Sequence, residues 1–220
     1  MLATPSSRGG TAQVLKNATL NVGAGEMVTL QGSSGTGKTV LGSLLLRLRK
    51  VPSGGRVWWG DREVTSLRSS ELQPLRTGFQ AMLQYTGALL PPYCSIGSSF
   101  QETLRHVVRE DRAEAEARIT RLAGELGIDH LLHRSPRFLS GGEQRRATLA
   151  RVLLSRPRFA FIDEPDAGLD PVSQQEVLGL IRRVSEERGM GVLLVTHHRG
   201  LARRYSDRCL ELRKGQAHVI

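Results

Sequence analysis

Residues Gly32-Ser33-Ser34-Gly35-Thr36-Gly37-Lys38-Thr39 follow the spacing G-x-x-x-x-G-K-T, and few chain architectures can hold such a run. It comes after residues 26–31 (EMVTLQ), which read as a buried strand, and before residues 40–48, where leucine recurs at helical spacing. The order is strand, tight loop, helix. Glycines in such a loop let backbone N–H groups turn inward around an anion, and the next helix aims its partial positive end at the same point. Lys38 then reaches the outer oxygens of a polyphosphate, while Thr39 offers a hydroxyl to Mg²⁺.

A metal held on phosphate calls for a carboxylate at the tip of a neighbouring strand. Residues 159–162 (FAFI) form a short apolar run that delivers Asp163 to such a tip, and the adjacent Glu164 is placed to polarise an attacking water. A third signal is Leu139-Ser140-Gly141-Gly142-Glu143, a serine and two glycines opening a predicted helix. Two readings stand: a helix cap, or a second set of backbone donors for an anion. One triphosphate does not need two glycine loops from one chain. If both serve phosphate, the simplest geometry is a head-to-tail dimer in which each chain offers its Ser140 loop to the nucleotide on the other's Lys38 loop.

The remaining pattern alternates strand and helix, which implies a parallel sheet. Val14, Leu15, Leu20 and Val22 fit a short edge strand, residues 52–55 (PSGG) a turn, and residues 56–61 a strand entering a small hairpin whose paired tryptophans pack inward. From about residue 95 to 132, apolar residues at helical spacing among charges mark an α-helical lobe. Helices are expected over 143–154 and 173–187, and a buried strand over 191–195.

Composition narrows the class. With 220 residues, 39% apolar and 24% charged, the chain can bury a core, and disorder, collagen-like repeats and a membrane-embedded body are excluded. No apolar run nears the ~20 residues of a membrane span. The first residues lack the apolar core of a secretory signal, so a cytosolic location is expected. Cys94 and Cys209 stand far apart with no metal-ligand spacing, and are expected as reduced structural thiols. The net charge of +10 comes from 27 arginines and four lysines, but they are mixed with acids, as in Arg109-Glu110-Asp111-Arg112. A solvated basic face is the reading, with no nucleic acid expected.

Taken together, the 32–39 loop, LSGGE at 139–143 and the 159–164 run resemble the ATP-binding cassette (ABC) ATPases over nearly the whole chain. The resemblance implies an α/β fold: one domain, 1–220, with a P-loop NTPase parallel-sheet core, a small antiparallel β part and an α-helical sub-lobe at about 85–150. It implies ATP and Mg²⁺, with Gly32, Ser33, Ser34, Gly35, Thr36, Gly37, Lys38 and Thr39 around the phosphates and Thr39, Asp163 and Gln84 at the metal. Glu164, His197 and Gln84 take the catalytic places. His197 is preferred over His198 because it directly follows Val195-Thr196. Ser140, Gly141, Gly142 and Asp170 would complete the nucleotide site across the dimer.

The segment from Gln84 to Pro91 and Asp170-Pro171-Val172-Ser173 look like the peptide/nickel importer branch. The implied partners are transmembrane permease subunits, a second cassette, identical or not, and indirectly a solute-binding protein, with the chain on the cytoplasmic face of the membrane. A nucleic-acid-associated cassette and a non-hydrolysing regulatory cassette are the alternatives. Three departures from the family pattern stand out. Residues 1–57 contain no Phe, Tyr, Trp or His to stack on adenine, which predicts weak ATP affinity or another platform. Asp166 sits where small hydroxyl residues are frequent, and the usual first strand is expected to be missing or rebuilt.

Overall fold

The computed structural model describes residues 2–5, 11–15, 18–83, 90–108 and 111–220. Its centre is a six-stranded sheet built from β3 (Met27–Gln31), β6 (Phe79–Met82), β7 (Phe159–Asp163), β8 (Gly191–Val195), β9 (Arg208–Arg213) and β10 (Gln216–Val219). The spatial order is β10-β9-β3-β8-β7-β6, parallel throughout except for β10, which returns antiparallel on β9. Every residue of β3 and β8 is buried, as expected of parallel strands covered on both faces.

Two apolar layers cover the sheet. On one side α1 (Lys38–Leu45) packs Leu41 and Leu44 with Leu30, Phe161 and Leu193. On the other lie α3 (Ile96–Thr103), α4 (Arg112–Glu125), α5 (Gly141–Leu154) and α6 (Pro171–Arg188). The expected helical lobe is α3, the π turn over Leu104–Val108, α4 and the start of α5. From Ala147 onward every residue of α5 except Arg151 is buried, joining the lobe to the sheet. Ser95 and Asp111 cap α3 and α4 by accepting backbone N–H bonds from Ser98 and Glu114.

The edge-strand expectation needs correction. β2 (Thr11–Leu15) pairs with β1 (Leu2–Pro5) in a separate antiparallel sheet, and Leu15 at its end enters the core. The small hairpin is β4 (Trp58–Trp59) with β5 (Arg62–Glu63). Only half of the tryptophan expectation holds: Trp59 stacks on Phe79 at 4.3 Å and donates its indole N–H to the Leu45 carbonyl at 2.7 Å, whereas Trp58 is exposed. A short helix α2 (Ser69–Leu72) follows the hairpin, and α7 (Arg199–Tyr205) connects β8 to β9. Cys94 and Cys209 are free thiols, and burial pushes the Cys209 thiol up. No helix among the described residues is long and apolar enough to cross a membrane.

Candidate functional site

Parallel pairing aligns the carboxyl ends of β3, β7 and β8: Leu30 and Asp163 both sit opposite Val195. Loops leaving these ends converge at one edge of the sheet, where ligands bind in open α/β folds. The 32–39 loop leaves β3 there. Gly37 begins α1 in the left-handed region (φ 102°), a geometry that strains any residue with a Cβ. At Gly32 a Cβ would lie 2.8 Å from the Leu212 carbonyl oxygen. The first intrahelical bond runs from Leu41 N–H to the Gly37 carbonyl, so the amides of residues 37–40 lack helical acceptors and point out of the helix start. Ser33, Ser34 and Gly35 are exposed on this loop, while Thr36 donates its hydroxyl to the Ser33 carbonyl. Lys38 is buried, and its Nζ donates to the carbonyls of Gly32 (2.7 Å) and Ser33 (3.0 Å), folding the ammonium back across the loop.

Thr39 Oγ1 donates to Asp163 Oδ2 at 2.6 Å, joining residues 124 positions apart. Burial raises the Asp163 carboxyl above the ordinary carboxylate range, and the Thr39 hydrogen bond opposes that shift; Glu164 adds to it, and the charges of Lys38 and His197 oppose it. Hydroxyl and carboxylate oxygens are the hard donors that Mg²⁺ takes, so this pair fits that ion. Among the described residues no three His, Cys, Asp or Glu side chains converge as a metal cage. Mg²⁺ does not require one, because it draws other ligands from phosphate and water.

Glu164 follows with φ 52°, a left-handed backbone held by its N–H donating to the Val195 carbonyl at 2.9 Å. Such strain persists only where surroundings over-determine it. Its Oε1 lies 2.7 Å from His197 Nε2; a carboxylate only accepts, so the imidazole donates from Nε2. The structure therefore brings Lys38, Thr39, Asp163, Glu164 and His197 together. Gln84 lies outside the described residues.

LSGGE stands elsewhere. Ser140 caps α5: its Oγ accepts the Glu143 N–H and donates to the Glu143 carboxylate, while the Ser140 N–H donates to that carboxylate at 2.7 Å. These Ser140 bonds, the backbone N–H first, hold the Glu143 carboxyl below its ordinary range. Of the two readings, the helix cap is thus present. Ser140 and Gly141 are exposed, and a Cβ on Gly142 would come 3.1 Å from Leu169. Asp170 is also exposed and caps α6, its carboxylate accepting N–H bonds from Val172 and Ser173. The Ser173 hydroxyl is the chief cause of its lowered pKa.

Two contacts here escape the sequence pattern. Arg145 Nη1 donates to the Ala167 carbonyl at 2.8 Å, tying α5 to the segment between β7 and α6. The buried Asp166 accepts the Thr196 hydroxyl at 2.6 Å. The unusual acid at 166 was the one visible sign of the second; nothing marked the first.

Comparison with known proteins follows the same lines. The ABC transporter family profile matches residues 15–167. The chain is 36% identical to the macrolide export ATP-binding/permease protein MacB of Rhodopirellula baltica over 92% of its own length and 29% of MacB. It is 34% identical to the nickel import ATP-binding protein NikE of Pseudomonas putida, covering 94% of this chain and 76% of NikE. Identity to the methionine import ATP-binding protein MetN of Xanthomonas oryzae pv. oryzae is also 34%, over 90% of this chain and 58% of MetN. The dimeric post-hydrolysis structure of the ATP-binding cassette MJ0796 with ADP and Pi matches at TM-score 0.87 and 25% identity, covering 98% of this chain and 93% of that one. CbiO1 of Clostridium perfringens, part of the ABC transporter complex CbiONQ, matches at TM-score 0.81 and 25% identity, covering 99% and 84%. A profile spanning most of the chain, and a relative one-third identical across nearly all of it, settle its membership: this chain belongs to the ABC transporter ATPase family.

Proposed function

We propose that this chain is the ATP-hydrolysing subunit of a membrane ABC transporter, an importer of peptides or of nickel and other metal chelates. The Thr39–Asp163 bond carries the reading, because it sets a metal-binding hydroxyl and carboxylate beside Glu164 and His197 at the mouth of a phosphate loop. The likeness to NikE supports import. Export is the second reading, favoured by the comparable likeness to MacB.

In this mechanism the amides of the 32–39 loop and Lys38 hold the β- and γ-phosphates. A Mg²⁺ ion on Thr39, Asp163 and Gln84 would supply positive charge to the phosphate oxygens. Glu164 orients the attacking water and takes its proton, and His197, bonded to Glu164, keeps that carboxylate aimed. Ser140, Gly141 and Gly142 of a second cassette close over the γ-phosphate, with Asp170 near the junction. The exposure of Ser140, Gly141 and Asp170 on this chain supports that role. Permease subunits, fed by a solute-binding protein, are moved as the two cassettes close and part, and the chain works peripherally on the cytoplasmic face of the cell membrane.

The test is Glu164→Gln. With Mg-ATP the variant is expected to elute as a stable dimer, alone or with a partner cassette, and to release phosphate at least ~10²-fold more slowly than wild type. A monomer at saturating Mg-ATP in both settings, or phosphate release at the wild-type rate, overturns the reading.

A further inference from the structure

Asp166 is a carboxylate at 2% exposure, and its bonds reach into the segment that carries His197. Its Oδ2 accepts the hydroxyl of Thr196, itself buried, at 2.6 Å. Thr196 Oγ1 in turn accepts the backbone N–H of His198 at 3.1 Å, which pins the turn at residues 196–198. His198 Nε2 lies 4.0 Å from Asp166 Oδ2 and 3.2 Å from the Gln174 amide nitrogen. That amide also donates to the Leu169 carbonyl at 3.0 Å. One connected set of bonds therefore joins the 166–169 segment, the first turns of α6 and the loop between β8 and α7.

The Glu164–His197 bond sits inside this set. Glu164 is two residues before Asp166, and His197 directly follows Thr196. A bond between two loops is weak when each loop moves freely. It becomes a defined geometry when both are tied through a buried bond, since the ordering is then already done.

We infer that Asp166 is a positioning residue for hydrolysis: its bond to Thr196 locks the His197 turn against the segment bearing Glu164, so that the imidazole holds the Glu164 carboxylate in line. The bond also transmits any displacement of the 166–170 segment to His197. Shifts at Asp170, where a second cassette is proposed to approach, would thereby reach the water-activating group. A buried carboxylate that served stability alone would shape melting temperature without shaping turnover. This inference rests on the proposal that Glu164 and His197 act in hydrolysis.

The experiment measures steady-state phosphate release with Mg-ATP, fluorescent-nucleotide affinity and melting temperature for the purified full chain. The variants are Asp166→Ala, Asp166→Asn, Thr196→Val, Thr196→Ser and the double variant Asp166→Ala/Thr196→Val. Asp166→Ala and Thr196→Val are each expected to lower kcat about tenfold or more while KM and nucleotide affinity stay within about twofold. The double variant is expected to be no slower than the single ones, as for two partners of one bond. Asp166→Asn keeps an acceptor oxygen and Thr196→Ser keeps the hydroxyl, so both should recover to within about threefold of wild type. Wild-type kcat in Asp166→Ala, multiplying losses in the double variant, or an asparagine no better than alanine would each overturn the inference. If Asp166→Ala does not fold, Thr196→Val against Thr196→Ser decides by the same criteria. Glu164→Gln in the same assay separates the two levels: undiminished release there defeats the hydrolysis proposal. A dead Glu164→Gln beside a fully active Asp166→Ala defeats only the positioning role.

Discussion

Asp163 carries a conflict that a single substitution can expose. Its folded pKa is raised, chiefly by burial, so its contribution to stability is full below the unfolded value of 3.8 and is lost as pH rises through the folded value. At neutral pH the ionised carboxylate is therefore a burden on the ligand-free fold. Asp163→Asn keeps an acceptor for the Thr39 hydroxyl and is expected to melt higher than wild type at neutral pH, with the gap closing toward pH 3.8. Hydrolysis should fall on the order of 10²-fold or more, because the hard ligand for Mg²⁺ is gone. Thermal melts across pH together with phosphate release check both halves; a variant less stable than wild type at neutral pH contradicts the burial argument. Much at this scale was open to reading from residue order. Thr39, Asp163 and Glu164 lie inside contiguous motifs, whereas His197 was preferred over the adjacent His198 only by its place directly after Val195-Thr196. The fold separates these two: His197 meets Glu164, and His198 meets Gln174.

Among elements, α1 packs tightly against β7 at one glycine. Gly42 faces the buried ring of Phe161, and a Cβ built there would overlap three of its ring carbons. Gly42→Ala would gain helix propensity worth up to ~1 kcal/mol, but overpacking against an immobile aromatic costs about 1–3 kcal/mol. A net loss of stability is expected in urea unfolding, and Phe161→Leu in the same background should restore part of it. A glycine inside a leucine-rich helix shows only as a weak point in the sequence; its reason is a ring 119 positions away. Strands β6, β9 and β10 carried little signal for a related reason. They are four to six residues long, and β9 places arginine and glutamate among its apolar positions. Polar residues such as Gln80, Glu211, Gln216 and His218 interrupt these runs, whereas β7 and β8, no longer than β9, are nearly continuous apolar stretches, so sheet pairing decides β6, β9 and β10.

At the level of the whole molecule, closure of the sheet joins residues near opposite ends of the chain. β3 sits between β8 and β9, and that seam is fastened by Glu26 with Arg208, and by Asp207 with Arg182 and the Met27 N–H. Hydrogen bonding to Arg208 lowers the Glu26 pKa from 4.5, and hydrogen bonding to Arg182 lowers that of Asp207 from 3.8. Lowered folded values mean stabilisation that is present above the unfolded values and is lost as pH falls through the folded ones. Both groups are partly solvated, so the effect is modest. Melting temperature should fall by a few degrees between about pH 5 and pH 3, and Glu26→Gln should be less stable than wild type near pH 6 while losing less on acidification. An acid limb as steep in Glu26→Gln as in wild type would remove Glu26 from that account.

Residue order alone was enough for the phosphate loop, the strand-end carboxylates, the helix start near Ser140 and the alternation that implies a parallel sheet. Each is a contiguous stretch whose backbone geometry depends on its own glycines, caps and apolar spacing. Tertiary structure decided the strand order, the separate N-terminal hairpin, the pairing of Thr39 with Asp163, and the bond from Asp166 to Thr196. The last two contacts join residues 124 and 30 positions apart in the chain, and they depend on the burial of apolar faces that sets which strands lie side by side.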